Sequence, residues 1–173
     1  MSHKRQKQNG SRFIFDYKFF GMKALLLATL IFSSIVSFAQ NEAARKNNFN
    51  LSDGIGIKGY DPVSYFLQSK AVKGSKDFSV LFNGVTYYFS TAANKEEFKK
   101  NPAKYEPQYG GWCAYAMGKD GSKVEVDPAT FKIVDGKLFL FYNQFFTNTL
   151  KSWNKDEANL HQHADANWQK IVH

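Results

Sequence analysis

The sequence predicts an α+β fold: a small antiparallel sheet built from two β-hairpins, packed with short helices and followed by a helical C-terminal region. Two segments rich in β-branched and aromatic residues are each divided by a two-residue turn, Asn83-Gly84 and Asp135-Gly136. Helix-start signals and helical spacing of apolar residues lie between and after these segments. Phe, Tyr and Trp supply 17% of the 173 residues, which is typical of an aromatic-rich core.

Residues 1–39 are predicted to be a signal peptide. The uncharged apolar run after Lys23 ends in Ser37-Phe38-Ala39, with small residues at the positions that signal peptidase reads. The run is shorter than the ~20 residues of a membrane-spanning helix. We therefore expect a periplasmic or secreted protein that begins at Gln40 and has no stable membrane anchor; an uncleaved anchor is the alternative. Met22 is a second candidate initiator, because Met22-Lys23 would begin a signal peptide of ordinary proportions.

Net charge gives little support for nucleic-acid binding once the signal peptide is set aside. The whole chain has a formal net charge of +8. Residues 1–39 contain six Lys or Arg and one acidic residue, so residues 40–173 carry only +3. This small balance is not the electrostatic footprint of a nucleic-acid-binding domain. The single cysteine, Cys113, rules out an internal disulfide framework, so stability must come from the core.

The polar residues 40–50 are expected to form a flexible leader, and residues 51–173 a single domain. The first predicted helix begins at Asp61-Pro62. Aspartate can accept hydrogen bonds at the N-cap, and proline suits the first helical position, where no amide donor is needed. This helix is short and ends near residues 68–70.

The first hairpin is predicted over residues 78–89, because Asn83-Gly84 suits the positive φ angles of a type I′ turn. Ser90 follows the hairpin directly and is placed to N-cap a helix over residues 91–100. Phe98 is the expected contact of this helix with the core.

The second hairpin is predicted over residues 131–141, after a short strand at Lys123–Val126. From Gln144 onwards the composition favours helix, and the apolar positions are Phe145, Phe146, Leu150 and Trp153. Residues 156–172 form the last predicted helical region.

Cys113 is the sharpest candidate for a functional residue. It follows Gly110-Gly111, a pair that permits positive φ angles or close backbone packing. Tyr109, Trp112 and Tyr115 surround it and are candidates to line an apolar pocket. Two interpretations remain open: a buried cysteine that packs as a small hydrophobe, or a metal ligand or reactive thiol. No Lys, Arg or His lies within five residues of Cys113, so an activating charge would have to come from elsewhere in the chain.

His161 and His163 are the other metal-ligand candidates, with Asp165 nearby. Together with Cys113 they would make a reasonable donor set for copper or zinc. However, residues two apart point to different faces of a helix, so a shared ion requires a non-helical backbone here. Surface histidines on a solvated helix are the alternative.

The order of motifs resembles the YHS domain family, and more closely its exported bacterial single-domain members. The resemblance runs from about Gly56 to Trp168. Its motifs are Gly59-Tyr-Asp-Pro-Val63, Phe82-Asn-Gly-Val-Thr-Tyr-Tyr-Phe-Ser90, Asn101-Pro-Ala-Lys-Tyr105, Pro107-Gln-Tyr-Gly-Gly111, Cys113-Ala-Tyr115, Val134-Asp-Gly-Lys-Leu138 and Ala164-Asp-Ala-Asn-Trp168.

The resemblance implies a small α+β module, and in short family members the binding of transition metals. Those members carry cysteines in an Asp-Pro-Val-Cys motif and after Tyr-Tyr-Phe, where this chain has Ser64 and Ser90. A neutral hydroxyl is a poor ligand for zinc or copper(I), so this metal site is not carried over.

These patterns favour an exported, non-enzymatic binding module whose ligand, a transition metal or a small molecule, lies near Cys113. The sequence contains no catalytic triad, no phosphate-binding loop and no pair of carboxylates spaced for catalysis. A thiol-based redox protein or enzyme that uses Cys113 is one alternative. A structural domain that binds another exported protein is the other.

Overall fold

The computed structural model describes residues 42–172, so the predicted signal peptide lies outside the described residues. The described part combines helices and strands, which confirms the α+β class. None of its helices has the length and apolar character needed to cross a membrane.

The elements follow one another in short segments. The helices are α1 (residues 42–48), α2 (Pro62–Leu67), α3 (Ala92–Lys100), α4 (Pro102–Tyr105), α5 (Ala114–Asp120), α6 (Thr149–Trp153) and α7 (Glu157–Val172). The strands are β1 (Leu51–Ser52), β2 (Ile55–Gly56), β3 (Ser75–Phe82), β4 (Val85–Phe89), β5 (Asp127–Val134), β6 (Lys137–Phe141), β7 (Asn143–Gln144) and β8 (Thr147–Asn148). Two 3-10 turns, Ile57–Gly59 and Gln108–Gly111, complete the set.

The first hairpin forms as predicted. Strands β3 and β4 pair antiparallel, and Asn83 and Gly84 take φ angles of 45° and 80° in the turn between them. The sheet has four strands in the order β1-β2-β4-β3. Its β2–β4 pair is parallel, with Ile55 opposite Thr86, so this sheet is not purely antiparallel as expected.

The second hairpin also forms, but the two hairpins do not share one sheet as the sequence suggested. Strands β5 and β6 make a separate two-stranded sheet, closed by Asp135 and Gly136 at φ angles of 50° and 69°. The free edge of β6 is bridged in parallel by Pro107 and Cys113. The segment around Cys113 therefore occupies the edge at which the two hairpins could have joined.

Ser90 does not cap α3 as predicted. Thr91 is the N-cap, and its hydroxyl accepts a hydrogen bond from the Asn94 amide at 3.1 Å. Ser90 is instead bonded through both its amide and its hydroxyl to Asp61, at 2.8 and 2.6 Å. This long-range bond fixes Ser90 one position before the helix begins.

The expected leader, for which a helical turn was an alternative, contains helix α1 at residues 42–48, and Arg45 in it makes an ion pair with Glu106. Two further expectations are wrong. Residues 123–126 do not form a strand: the Val124 carbonyl accepts from the Cys113 amide at 3.0 Å and the Val126 carbonyl from Lys58 Nζ at 2.9 Å. Residues 143–148 form a small hairpin before α6 begins at Thr149.

The core consists of two clusters of buried side chains. Phe98 is 0% exposed at the centre of the first cluster, which confirms its predicted core contact. Its aromatic neighbours are Phe82, Tyr87, Phe89 and Tyr105. The second cluster joins α5, β6 and α7, with buried members Tyr109, Ala114, Met117, Phe139, Phe141, Trp153 and Ala164. The Cys113 segment lies where these clusters meet.

Candidate functional site

The backbone around Gly110 and Gly111 turns in a way that few other residues allow. Tyr109, Gly110 and Gly111 have φ angles of 55°, 59° and 86°. A Cβ on Gly110 would lie only 2.8 Å from the rings of Phe49 and Trp168. Gly110 is therefore required both for its conformation and for the close approach of two aromatic rings. This turn delivers Cys113 to the start of α5.

Cys113 is completely buried, with an exposed fraction of 0%. Its Sγ accepts a hydrogen bond from the Tyr142 amide at 3.4 Å and lies 3.3 Å from the hydroxyl oxygen of Thr149. The Thr149 hydroxyl also lies 2.9 Å from the Tyr142 carbonyl and donates its one proton there. The Cys113 thiol can in turn donate to the Thr149 oxygen.

A cavity of about 220 Å³ lies over this thiol. Its inner wall is largely apolar, formed by Cys113, Tyr115, Ala116, Val124, Tyr142 and Thr149. Lys119, Asp120 and Ser122 also line it and supply its exposed polar side. The rim carries one charge of each sign: the Lys119 ammonium, and the Asp120 carboxylate, which accepts hydrogen bonds from the Ser122 amide and hydroxyl.

Of the three predicted pocket residues, only Tyr115 lines the cavity. The Tyr109 hydroxyl donates to the Asp165 carboxylate at 2.9 Å, and burial together with this carboxylate raises the pKa of Tyr109. The Trp112 indole donates to the Asn48 carbonyl at 2.6 Å. These two side chains therefore hold α7 and the end of α1 in place.

The proposed Cys113–His161–His163 metal set is not assembled. Within residues 42–172 no three His, Cys, Asp or Glu side chains converge as metal ligands. His161 packs edge-on against Phe139, with ring centroids 5.2 Å apart, and its Nε2 lies 3.7 Å from the Asp165 carboxylate. His163 is exposed, because helix α7 directs residues two apart to different faces.

The cavity residues that sequence reasoning missed are Val124, Tyr142 and Thr149, together with the rim residues. They come from a loop after α5, the end of β6 and the start of α6. No local pattern marks them. Long-range bonds bring these segments together: the Cys113 amide donates to the Val124 carbonyl, the Tyr142 amide donates to the Cys113 sulfur, and Thr149 donates to the Tyr142 carbonyl.

A second constellation surrounds Asp61, which is 0% exposed. One carboxylate oxygen accepts from the amides of Val63 and Ser64, at 2.9 and 3.3 Å, which confirms the predicted N-cap with Pro62 at the first helical position. The other oxygen accepts from the Ser90 amide and hydroxyl and from Asn94 at 2.7 Å. This buried carboxylate thus ties α2, the end of β4 and α3 together.

The residues at the family's cysteine positions do not fit a transition metal. Ser64 and Ser90 do come together around Asp61, but both hydroxyls are engaged. Ser64 Oγ lies 2.7 Å from the Asp61 carbonyl and 2.8 Å from the Lys70 carbonyl. Ser90 Oγ donates to the Asp61 carboxylate at 2.6 Å. Neutral hydroxyls that already serve a hydrogen-bond network are poor ligands for soft metals.

The fold and these two constellations define a small α+β module with a buried polar centre and a separate cavity. Residues 63–109 match the family model of the YHS domain, in agreement with the resemblance seen in the sequence. Searches of curated proteins and of solved structures gave no match. The matched range includes Ser64 and Ser90, whereas every residue that lines the cavity follows it.

Proposed function

We propose that this protein is an exported, non-enzymatic binding module of the YHS type, and that it binds a small, largely apolar ligand in the cavity over Cys113. The observation that carries the proposal is the cavity itself. It has a volume of about 220 Å³, a largely apolar wall and an opening to solvent at Lys119, Asp120 and Ser122. An apolar cavity of roughly 150 Å³ already admits benzene, so a ligand of one ring or a short branched chain fits.

The lining defines the chemical class of the ligand. Tyr115, Val124 and Tyr142 offer ring and methyl surfaces to a ligand. Lys119 is the one cation among the residues that line the cavity. A compact apolar body with one carboxylate or other anionic group therefore matches the cavity best.

Thiol chemistry is supported less well than simple binding. A reactive cysteine needs a low pKa from a neighbouring cation or a strong helix N-terminus, together with access. Cys113 is fully buried and its Sγ contacts a neutral hydroxyl and an amide. Helix α5, which it precedes, has only seven residues. The thiol is thus arranged as a wall of the cavity.

Export is supported by the sequence of residues 1–39 alone, with its basic start, apolar run and small residues before Gln40. Fractionation of expressing cells, followed by mass determination of the purified protein, tests it. A chain that begins at Gln40 outside the cytoplasm is expected. An intact chain in the cytoplasm would contradict it.

Ligand capture tests the binding function. The wild-type protein is purified under native conditions, extracted with organic solvent, and the extract is analysed by mass spectrometry beside that of Val124→Phe. This substitution places a ring in the cavity, while the Val124 backbone carbonyl still accepts from Cys113. A compound present at near-stoichiometric amount in wild type and lost in Val124→Phe supports the proposal. Equal amounts in both would refute binding at this cavity.

Elemental analysis and thiol titration distinguish the alternatives. Copper or zinc that the wild-type protein retains and Cys113→Ala loses would show that the bound ligand is a metal. Rapid alkylation of Cys113 in the native protein at mildly acidic pH would favour thiol redox chemistry. We expect alkylation only after unfolding, as the 0% exposure of Cys113 implies.

A further inference from the structure

The turn between β7 and β8 exposes two adjacent aromatic side chains. Phe145 is 85% exposed and Phe146 112% exposed, the highest values among the large hydrophobic residues of the described chain. Isolated exposed hydrophobic residues are common, but two adjacent phenyl rings at the tip of a hairpin form a concentrated apolar feature.

The local backbone gives no reason for phenylalanine at this turn. Both residues have positive φ angles, 49° and 64°, which bulky side chains rarely adopt. The other two-residue hairpin turns of the described chain are Asp53-Gly54, Asn83-Gly84 and Asp135-Gly136, the dipeptides that such turns favour. Phenylalanine is therefore unfavourable at both positions, because of the positive φ angles and because the apolar rings are exposed to water. Strain of this kind concentrates at functional positions.

The base of this hairpin is held firmly to the rest of the domain. The Asn143 side chain donates to the Thr130 hydroxyl at 2.9 Å. The Thr149 amide and hydroxyl both donate to the Tyr142 carbonyl, at 3.0 and 2.9 Å. The two rings are therefore presented on a fixed support.

The charged residues nearest to the tip along the chain are cations: Lys137 before it, and Lys151 and Lys155 after it. The first acidic residues after the tip, Asp156 and Glu157, follow Lys155. Lys151 and Lys155 are exposed, on or just after α6, which follows the hairpin directly. Apolar side chains flanked by exposed lysines match the two layers of an anionic lipid surface, the acyl boundary and the charged headgroups.

We propose that the Phe145-Phe146 turn docks this protein reversibly on anionic phospholipid membranes. A convex tip of two rings needs no preformed groove, and the lysines give it electrostatic attraction to negative headgroups. Tyr142 and Thr149, at the base of the same hairpin, also line the Cys113 cavity. Docking would thus bring the cavity close to lipid. The proposal depends on the tip alone and stands or falls independently of ligand binding.

Vesicle sedimentation with the protein that begins at Gln40, the predicted product of signal-peptide cleavage, tests this docking. The probes are vesicles of phosphatidylcholine with one quarter phosphatidylglycerol, and vesicles of phosphatidylcholine alone. Phe145→Asn combined with Phe146→Gly removes both rings and installs the favoured turn residues, so the fold is kept. We expect binding to anionic vesicles to fall at least tenfold in this double variant. Leu81→Ser, which removes an exposed hydrophobic residue from β3, is the matched control and should bind like wild type.

Two further results decide the question. Replacing Lys151 and Lys155 by Gln should reduce binding to anionic vesicles and leave the weaker binding to phosphatidylcholine unchanged. Equal vesicle binding by wild type and the Phe145→Asn, Phe146→Gly variant would overturn the proposal, because another surface would then be responsible. The proposal would also be overturned if the double substitution left vesicle binding unchanged and converted an oligomer to a monomer in analytical ultracentrifugation, because the turn would then bind a second copy of the chain.

Discussion

Replacing Asp61 should show that its buried carboxylate is a structural centre of the fold. The Asp61 carboxylate accepts five hydrogen bonds, three of them from the backbone amides of Val63, Ser64 and Ser90. Asp61→Ala leaves these three amides without their acceptor. Each unsatisfied buried donor costs about 1–3 kcal/mol, so the free energy of unfolding should fall by about 3–9 kcal/mol.

Asp61→Asn is the matched comparison, because it keeps the shape and one acceptor oxygen. The amide nitrogen then faces the Ser90 amide, a donor that cannot turn away, whereas the Ser90 hydroxyl and the Asn94 amide can reorient. We expect a loss of about 1–3 kcal/mol, the cost of roughly one unsatisfied donor.

Urea unfolding followed by tryptophan fluorescence measures both variants. Domains of this size have a total stability of about 5–15 kcal/mol, so Asp61→Ala should be largely unfolded or very weakly stable. A free energy of unfolding for Asp61→Ala within about 1 kcal/mol of wild type would contradict this structural role. An equal loss of stability in Asp61→Asn and Asp61→Ala would contradict it too.

Three other outcomes are expected. The contribution of Tyr65, Tyr87 and Tyr109 to stability should be constant below about pH 10, the ordinary tyrosine pKa, and fall above it, because burial raises the folded-state pKa of all three. Absorbance of tyrosinate at high pH checks this: these residues should ionise only with unfolding, and early ionisation would contradict it. Arg45→Ala should cost about 1–3 kcal/mol and expose α1 to protease, since it leaves the largely buried Glu106 carboxylate without its cation; unchanged stability and protease resistance would show that α1 docks without the pair. Phe145→Asn with Phe146→Gly should raise the free energy of unfolding by about 1–2 kcal/mol, because it relieves positive φ at two bulky residues; a loss of stability would mean that the rings pack in solution.

The parts of the fold that depend on local chemistry could be predicted from the sequence. Asn83-Gly84 and Asp135-Gly136 set both hairpins through their turn conformation, and Asp61-Pro62 sets the start of α2. These signals act within a few residues. They therefore remain valid whatever the rest of the chain does.

The parts that depend on distant contacts could not be predicted. Ser90 and Thr91 are both good N-caps, and only the bond from Ser90 to Asp61 decides between them. The composition after Gln144 predicts Phe145 and Phe146 as apolar positions of a helix, but they form an exposed turn. An apolar pair predicts burial only when its neighbours supply a core, and here they do not.

The sequence indicated the central residues of the candidate site but not the residues that form its walls. Cys113 and Tyr115 lie in the cavity as expected. Tyr142 and Thr149 approach Cys113 because the Cys113 segment pairs with β6. That pairing joins positions 27 residues apart, between Cys113 and Leu140, and leaves no pattern in either segment.

Binding of a small apolar ligand over Cys113 is tested most directly by an NMR titration of the isotope-labelled protein with toluene and with benzoate. Saturable shifts are expected for residues of the cavity wall, Tyr115, Val124, Tyr142 and Thr149, and they should be lost in Val124→Phe. Benzoate should also shift Lys119, and Lys119→Gln should weaken benzoate without affecting toluene. Shifts that are absent at saturating probe, or that persist unchanged in Val124→Phe, would contradict ligand binding at this cavity.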